Sequence, residues 1–90
     1  MHILQTPTFS KQVKKLHQNQ KKDLDEAIRV ITKKPSIGDM KKGDLRGVQV
    51  YKFKMVSQLT LLAYEFYEDR VELLLLALGS HENFYRDLKK

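Results

Sequence analysis

The stretch that decides the fold is residues 48–79, which read VQVYKFKMVSQLTLLAYEFYEDRVELLLLALG. Three segments in it have the composition of β-strands, namely Val48 to Met55, Leu59 to Phe66 and Val71 to Leu78. The first alternates between apolar and polar side chains, whereas the other two are largely apolar on both faces. We therefore predict three consecutive antiparallel strands, of which the last two lie mid-sheet or meet a partner.

Upstream of these strands, the sequence predicts a short strand followed by two helices. Residues 2–6 form the strand, and Pro7 ends it. Apolar residues then recur at helical spacing on one face of each helix: Phe9, Val13 and Leu16 in the first, and Leu24, Ala27, Ile28 and Ile31 in the second. The second helix ends near Lys34, because Pro35 disfavours helical geometry in the residue before it. A short polar turn makes the pair a helical hairpin.

The downstream end completes the predicted order. Beyond Gly79, Ser80 is an N-cap for a last short helix over residues 81–90. The order is thus β-α-α-β-β-β-α, a single α+β domain over residues 1–90 with an antiparallel sheet and the helical hairpin on one face. By parity, the bulkier side chains of the sheet face the helices: Tyr51, Phe53, Thr60, Leu62, Tyr64, Phe66, Leu74, Leu76 and Leu78. The opposite face carries Lys52, Lys54, Leu61, Ala63, Leu73, Leu75 and Ala77.

Composition excludes several classes of site and location. The 90 residues include no cysteine, which excludes disulfides, iron–sulfur clusters and thiolate zinc sites. The three histidines lack metal-ligand spacing, and no glycine-rich phosphate loop is present, so we expect neither a metal nor another cofactor. The longest aliphatic run has six residues, Leu73 to Leu78, whereas a membrane span needs about 20. With no signal peptide visible at the N-terminus, we expect a soluble cytoplasmic protein without a membrane partner.

The charge is strongly basic and unevenly distributed. Lysine and arginine number 17 against 11 aspartate and glutamate residues, a net charge of +6. Residues 1–54 carry a net +8, and residues 55–90 a net −2. A basic half on a small domain indicates a polyanionic partner such as nucleic acid or a ribosome, or an acidic protein. The alternative is a solvated, lysine-rich helical surface.

Two segments of the sequence carry side chains that could bind or react with a phosphate. Lys52 and Lys54 lie two apart on a predicted strand, so both ammonium groups project from one face and repel each other unless an anion lies between them. The alternative is an edge strand that uses lysine to block pairing. His81 follows the end of a central strand and has the pKa range of a general acid or base, or else it simply starts the last helix. Tyr85 lies one helical turn further along.

The remaining candidates each allow two interpretations. Phe84 or Tyr85 either stacks on a base or packs the last helix against the sheet. Arg46 and Arg86 either contact phosphate or form surface ion pairs, Arg86 with Glu82.

Two motifs around the strands resemble a known superfamily. Leu45-Arg46-Gly47 leads into Tyr51-Lys52-Phe53-Lys54-Met55, and residues 79–88 read GSHENFYRDL. Together with the order of elements, these motifs resemble the RelE/ParE superfamily of bacterial type II toxins over nearly the whole chain. The first motif is similar to RelE itself, and the second to the branch with a C-terminal histidine and aromatic residue, the YoeB-like and YafQ-like toxins.

This resemblance implies a RelE-like, microbial RNase-type fold and a toxin that enters the ribosomal A site and cuts mRNA there without a metal. It also implies a cognate antitoxin that wraps the toxin, and hence a hetero-oligomer. By position, Lys52 and Lys54 match the paired lysines of RelE, His81 matches the histidine of the histidine-bearing members, and Tyr85 matches a C-terminal tyrosine. We take these four as candidate catalytic residues. Arg46, Phe84 and Arg86 are candidate substrate-binding residues.

The chain also departs from the RelE pattern. Leu61 stands where RelE has an arginine that helps to stabilise the reacting phosphate. No carboxylate clearly matches the base of YoeB-like toxins, although Asp44 and Glu65 are candidates. We therefore expect a ribosome-dependent mRNA endonuclease, and keep as alternatives a ParE-like inhibitor of DNA gyrase and a binding module without activity of its own.

Overall fold

The computed structural model describes residues 1–80, 84 and 88. The described strands are β1 (His2–Gln5), β2 (Asp39–Met40), β3 (Gln49–Met55), β4 (Gln58–Tyr67) and β5 (Glu72–Gly79), and the described α-helices are α1 (Pro7–Lys14) and α2 (Gln18–Lys33). Single turns of 3₁₀ helix occur at Pro35–Ile37 and Gly43–Leu45. The predicted order is confirmed up to β5, with one short strand, β2, that the sequence did not indicate. Of the predicted last helix, only Phe84 and Leu88 are among the described residues, and both are helical.

The strands form one sheet in the order β1-β5-β4-β3-β2. The pairs β3–β4, β4–β5 and β2–β3 are antiparallel, as predicted, but β1 runs parallel to β5. The sheet is therefore mixed, which refines the predicted α+β architecture without changing its class. The physical reason is that β1 and β5 are separated by residues 6–71, which contain the helical hairpin and the other three strands. A connection of that length permits a parallel partner, whereas a tight turn imposes an antiparallel one.

The helical hairpin covers one face of the sheet, as predicted. Phe9, Leu24 and Ile31 of the helices are at most 3% exposed and pack into one cluster with the sheet. The cluster's buried sheet residues are Leu62, Tyr64, Leu73, Leu75 and Leu78. We call this side of the sheet the helix face.

The predicted parity of β5 is wrong for four leucines. Leu73 and Leu75 lie on the helix face, and Leu74 and Leu76 do not. Ala63 pairs with Ala77 whereas the next β4 residue, Tyr64, pairs with Leu75, so Leu76 is an extra residue in a β-bulge. The bulge reverses the facing of every β5 residue before it, while Leu78 beyond it keeps its predicted side.

The other side of the sheet, which we call the open face, carries a second and smaller cluster. Its buried sheet residues are Val50, Leu61, Ala63 and Ala77. They are covered by Leu45 and Val48 from the loop before β3 and by Phe84. This face is therefore apolar near its centre, and no described residue covers it towards the end of β3, where the lysines lie.

Tyr64 anchors the loop that leads to this second cluster. Its hydroxyl donates to the Pro35 carbonyl oxygen at 2.6 Å and accepts from the Gly38 N–H at 2.9 Å, and Gln49 Oε1 lies 3.2 Å away. Burial raises the pKa of this phenol above its usual value. A Cβ on Gly38 would lie 2.7 Å from the hydroxyl oxygen, so only glycine allows this close approach.

The β3–β4 hairpin turns in two residues with an unusual sequence. Val56 and Ser57 have φ angles of +50° and +68°. Positive φ at both positions is the pattern of a type I′ turn, which Asn-Gly ordinarily fills. The Val56 N–H donates to Asp23 Oδ2 at 2.8 Å, which ties the turn to α2. Among the described residues, no helix combines the length and apolar composition needed to cross a bilayer.

Candidate nucleic-acid interface

Lys52 and Lys54 project from the open face of β3, as their spacing predicted. Both are exposed, and in the β3–β4 register they lie opposite Leu61 and Leu59. Two residues along a strand separate their Cα atoms by about 7 Å, close enough for one phosphate to contact both ammonium groups. In the described part of the chain, the ion pairs are Glu26–Arg29 and Arg70–Glu72, so neither lysine has a described carboxylate partner. Two neighbouring cations attract an anion between them, and Lys54 also lines a pocket with Asp23 and Glu26 of α2.

The alternative role of these lysines is also compatible with their position. β2 pairs only with Gln49 and Val50, so residues 51–55 of β3 have no described strand on their outer side. Charges on such an edge discourage pairing with another chain. A phosphate contact and edge protection do not exclude each other.

The end of β5 reaches the same region of the open face. Gly79 pairs with Leu61, directly beside the position that Lys52 faces. A Cβ on Gly79 would lie 2.9 Å from Cδ1 of Phe84, so the glycine lets this ring close over the strand end. Phe84 is 2% exposed. Its ring therefore has the packing role, and is not presented for stacking on a base.

The candidates His81, Tyr85 and Arg86 lie outside the described residues. Their roles stay predictions. The continuous described chain ends at Ser80, which is exposed and directly follows β5.

Arg46 lies in the loop that covers the open face. Leu45 beside it is buried in the second cluster together with Leu61, while Arg46 itself is exposed. Its N–H donates to the Gly43 carbonyl oxygen at 3.1 Å, which closes the short turn. The buried leucine thus holds an exposed guanidinium at the rim of the same face that carries the lysines.

Of the two candidate bases, Glu65 is placed far from the lysines. It lies on β4 four residues beyond Leu61, a distance of about 13 Å along the strand. Its Oε1 accepts a 2.6 Å hydrogen bond from the Tyr67 hydroxyl, which raises the pKa of that phenol, with burial as a second cause. Arg70 lies 4.4 Å from the centre of the Tyr67 ring. Glu65 therefore belongs to a separate polar cluster, while Asp44 is an exposed residue of the turn before Arg46.

Sequence reasoning missed one residue that shapes this region. Gln12 of α1 donates from Nε2 to the Leu78 carbonyl oxygen and accepts at Oε1 from the Leu78 N–H, both at 2.7 Å. Its amide thereby pairs with the end of β5 as a neighbouring strand would. The only signal in the sequence was a polar residue between Phe9 and Val13, on a helix whose other inward positions are apolar. Within the described residues, no three histidine, aspartate or glutamate side chains are grouped to hold a metal ion.

Among the comparisons with known proteins, a family model gives a family match and the solved structures give a fold match. A family model described as a ParE-like toxin of a type II bacterial toxin–antitoxin system matches residues 3–89. A search of curated proteins by sequence finds no match.

The similar solved structures share the fold at low sequence identity. A chain of the intact Escherichia coli RelBE toxin–antitoxin complex is 20% identical with a TM-score of 0.71, covering 90% of this chain and 96% of that one. A double mutant of E. coli RelE in the free state is 18% identical with a TM-score of 0.74, covering 98% and 90%. A YoeB/ParE toxin from Agrobacterium tumefaciens is 15% identical with a TM-score of 0.70, covering 90% and 99%. The predicted RelE-like α+β fold is therefore confirmed.

Proposed function

Because this chain belongs to the ParE-like toxins of type II bacterial toxin–antitoxin systems, we propose that it is an endoribonuclease that cuts mRNA in the ribosomal A site and is neutralised by a cognate antitoxin. The observation that carries the proposal is the pair Lys52 and Lys54, exposed side by side beside the end of β5, with no described carboxylate partner. Such a pair fits a phosphate of the RNA backbone.

The proposed reaction needs no metal. The ribose 2′-hydroxyl attacks the adjacent phosphorus and gives its proton to a base, while the bond to the 5′-oxygen breaks and an acid protonates that oxygen. Lys52 and Lys54, with Arg46 as a third donor, stabilise the extra negative charge of the transition state, and losing one such contact costs about 10²–10³ in kcat. His81 serves as the acid or base, worth about 10²–10⁴-fold. Tyr85 orients the nucleotide.

The basic charge of the chain and the partners of similar proteins support two proposed partners, ribosomal RNA and an antitoxin. Lys11, Lys14 and Lys22 are exposed on the two helices and supply a basic surface for ribosomal RNA, with Arg86 as a further phosphate contact. A target on the ribosome places this activity in the cytoplasm. One similar structure is the E. coli RelBE complex, and another is E. coli RelE bound to a RelB peptide. By analogy, we propose that an antitoxin forms a hetero-oligomer with this chain.

One observation favours the second candidate, a ParE-like toxin that inhibits DNA gyrase without cutting RNA. Leu61 stands where the RelE pattern has a phosphate-stabilising arginine, and it is fully buried in the second cluster. The open face therefore offers one cation fewer than the RelE pattern does.

The test is cleavage of mRNA on programmed ribosomes with a defined A-site codon, mapped by primer extension, with free mRNA as a control. We expect a new 3′ end only with ribosomes, and its loss in Lys52→Gln and His81→Ala. Arg70→Gln is the matched control, because it also removes one exposed cation but lies in the β4–β5 turn. No cleavage by folded, growth-arresting protein would contradict the nuclease and favour gyrase. Equal loss in Arg70→Gln would show a general charge effect instead of a site.

A further inference from the structure

A cavity lies on the helix face beside the end of β5, and the proposed reaction does not use it. Its volume is about 250 Å³, and it is bounded by the last turn of α1, the β3–β4 hairpin and the end of β5. Leu16, Met55 and Leu78 form an apolar floor. An apolar floor with a methionine thioether suits the face of an aromatic ring.

The rim of the cavity is polar, and its described residues include no acidic side chain. Gln58, Thr60 and Ser80 line it together with Lys15, and no aspartate or glutamate is among its described lining residues. The Thr60 hydroxyl donates to the Gln58 carbonyl oxygen at 3.1 Å. No hydrogen bond within the described chain engages the Gln58 amide or the Ser80 hydroxyl. A glutamine amide offers a donor and an acceptor side by side, which is the arrangement that reads the edge of a nucleobase.

The cavity communicates with the lysine surface around the end of the sheet. The last paired residue of β5 is Gly79, opposite Leu61, so residues 58–60 of β4 extend beyond β5 and have no described strand on that side. Lys54 lies opposite Leu59 in this same stretch, and Leu59 also lines the cavity. A polynucleotide whose phosphate lies at the lysines therefore reaches the cavity by passing over residues 58–60, a strand segment that no described strand covers on that side.

We propose that this cavity binds a nucleobase of the RNA substrate, next to the nucleotide whose phosphate contacts Lys52 and Lys54, and that the Gln58 amide sets which base is preferred. The inference rests on the proposed function, for which it supplies the base preference. Lys15 is a cation, and the described lining residues include no carboxylate. The cavity therefore favours an anionic nucleotide over a cationic ligand.

Titration of the full chain with AMP, GMP, CMP and UMP, followed by two-dimensional ¹⁵N NMR and the Met55 methyl signal, tests the proposal. We expect shifts at residues 58–60 and at Gly79 and Ser80, with one base bound more tightly than the others. Gln58→Ala should weaken the preferred nucleotide about tenfold and level the preference, the loss of one polar contact of about 1.4 kcal/mol. Gln58 is exposed, so this variant folds, and the equally exposed Gln18→Ala on α2 is the matched control.

Four outcomes overturn or separate the two proposals. Equal shifts with ribose 5-phosphate or inorganic phosphate would show an anion site without base recognition and overturn the inference. Chemical shifts of the cavity residues that change only when an antitoxin is added would assign the cavity to a protein partner. That result would also overturn the inference. No nucleotide binding by a preparation that cuts mRNA on ribosomes would refute the cavity's role while leaving the nuclease intact. Base-selective binding by a preparation that never cuts would support the cavity and refute the nuclease.

Discussion

Replacing Tyr64 by Phe removes one buried oxygen and leaves the ring in place. The ring is fully buried, so its packing is retained. The two short hydrogen bonds, to the Pro35 carbonyl and from the Gly38 N–H, contribute about 1 kcal/mol each, and the longer contact to Gln49 adds less than that. We expect the variant to lose about 2–3 kcal/mol of unfolding free energy, a large share of the 5–15 kcal/mol typical of a domain.

Urea unfolding followed by circular dichroism measures this loss, with hydrogen exchange at the Gly38 amide as a local readout. The matched control is Tyr51→Phe, because Tyr51 is half-buried and stacks on Phe53 with ring centres 6.1 Å apart. Its loss should stay within about 0.5 kcal/mol. If Tyr64→Phe changes the unfolding free energy by no more than about 0.5 kcal/mol, at an unchanged denaturant slope, the loop is held by something other than this hydroxyl.

Four further outcomes follow from the described geometry. Gly38→Ala should lower the melting temperature at least as much as Tyr64→Phe, because its Cβ would lie 2.7 Å from the phenol oxygen; an unchanged melting temperature would contradict the close approach. Burial raises the pKa of Tyr64 above its ordinary 10.0, so its contribution is complete below about pH 10 and is lost as the pH rises through the folded-state pKa. Urea midpoints measured above pH 10 should therefore fall more steeply for the natural chain than for Tyr64→Phe, and parallel curves would count against this. Val56→Asn combined with Ser57→Gly should stabilise the positive-φ turn by about 1 kcal/mol and raise the melting temperature by about 4–8 °C in calorimetry. Gln12→Leu should lower the urea midpoint by the equivalent of about 1–3 kcal/mol, since it leaves both polar groups of the β5 end unpaired.

The success of the sequence patterns depended on whether polar residues marked one face of a strand. In β3, Lys52 and Lys54 interrupt the apolar residues at every second position, so alternation revealed both the strand and its exposed side. In β5, the run from Leu73 to Leu76 has no polar residue to mark a face. The bulge at Leu76 changes which side chains face the helices, but a leucine run looks the same with or without it.

In the candidate site, too, the sequence predicted the features that a local pattern marks and missed those that depend on tertiary packing. The lysine pair depends only on spacing within one strand, so the sequence predicted its geometry. Phe84 allowed two interpretations, and the close approach of its ring to Gly79, which no local pattern encodes, settled its packing. Gln12 and the cavity beside it arise where α1 meets the ends of two strands, and such a meeting point is set by tertiary packing.

The parallel pairing of β1 with β5 has a consequence for how the protein is made. His2 to Gln5 lie beside Glu72 to Leu75, and the Thr6 hydroxyl bonds to the Leu76 carbonyl, 70 residues further along the chain. Strand β1 thus has its partner only when β5 has left the ribosome exit tunnel. Contacts of such separation also slow folding once the chain is free. The five-stranded sheet is therefore completed only after residues 72–79 have been synthesised, although its edge strand β1 is made before the helices.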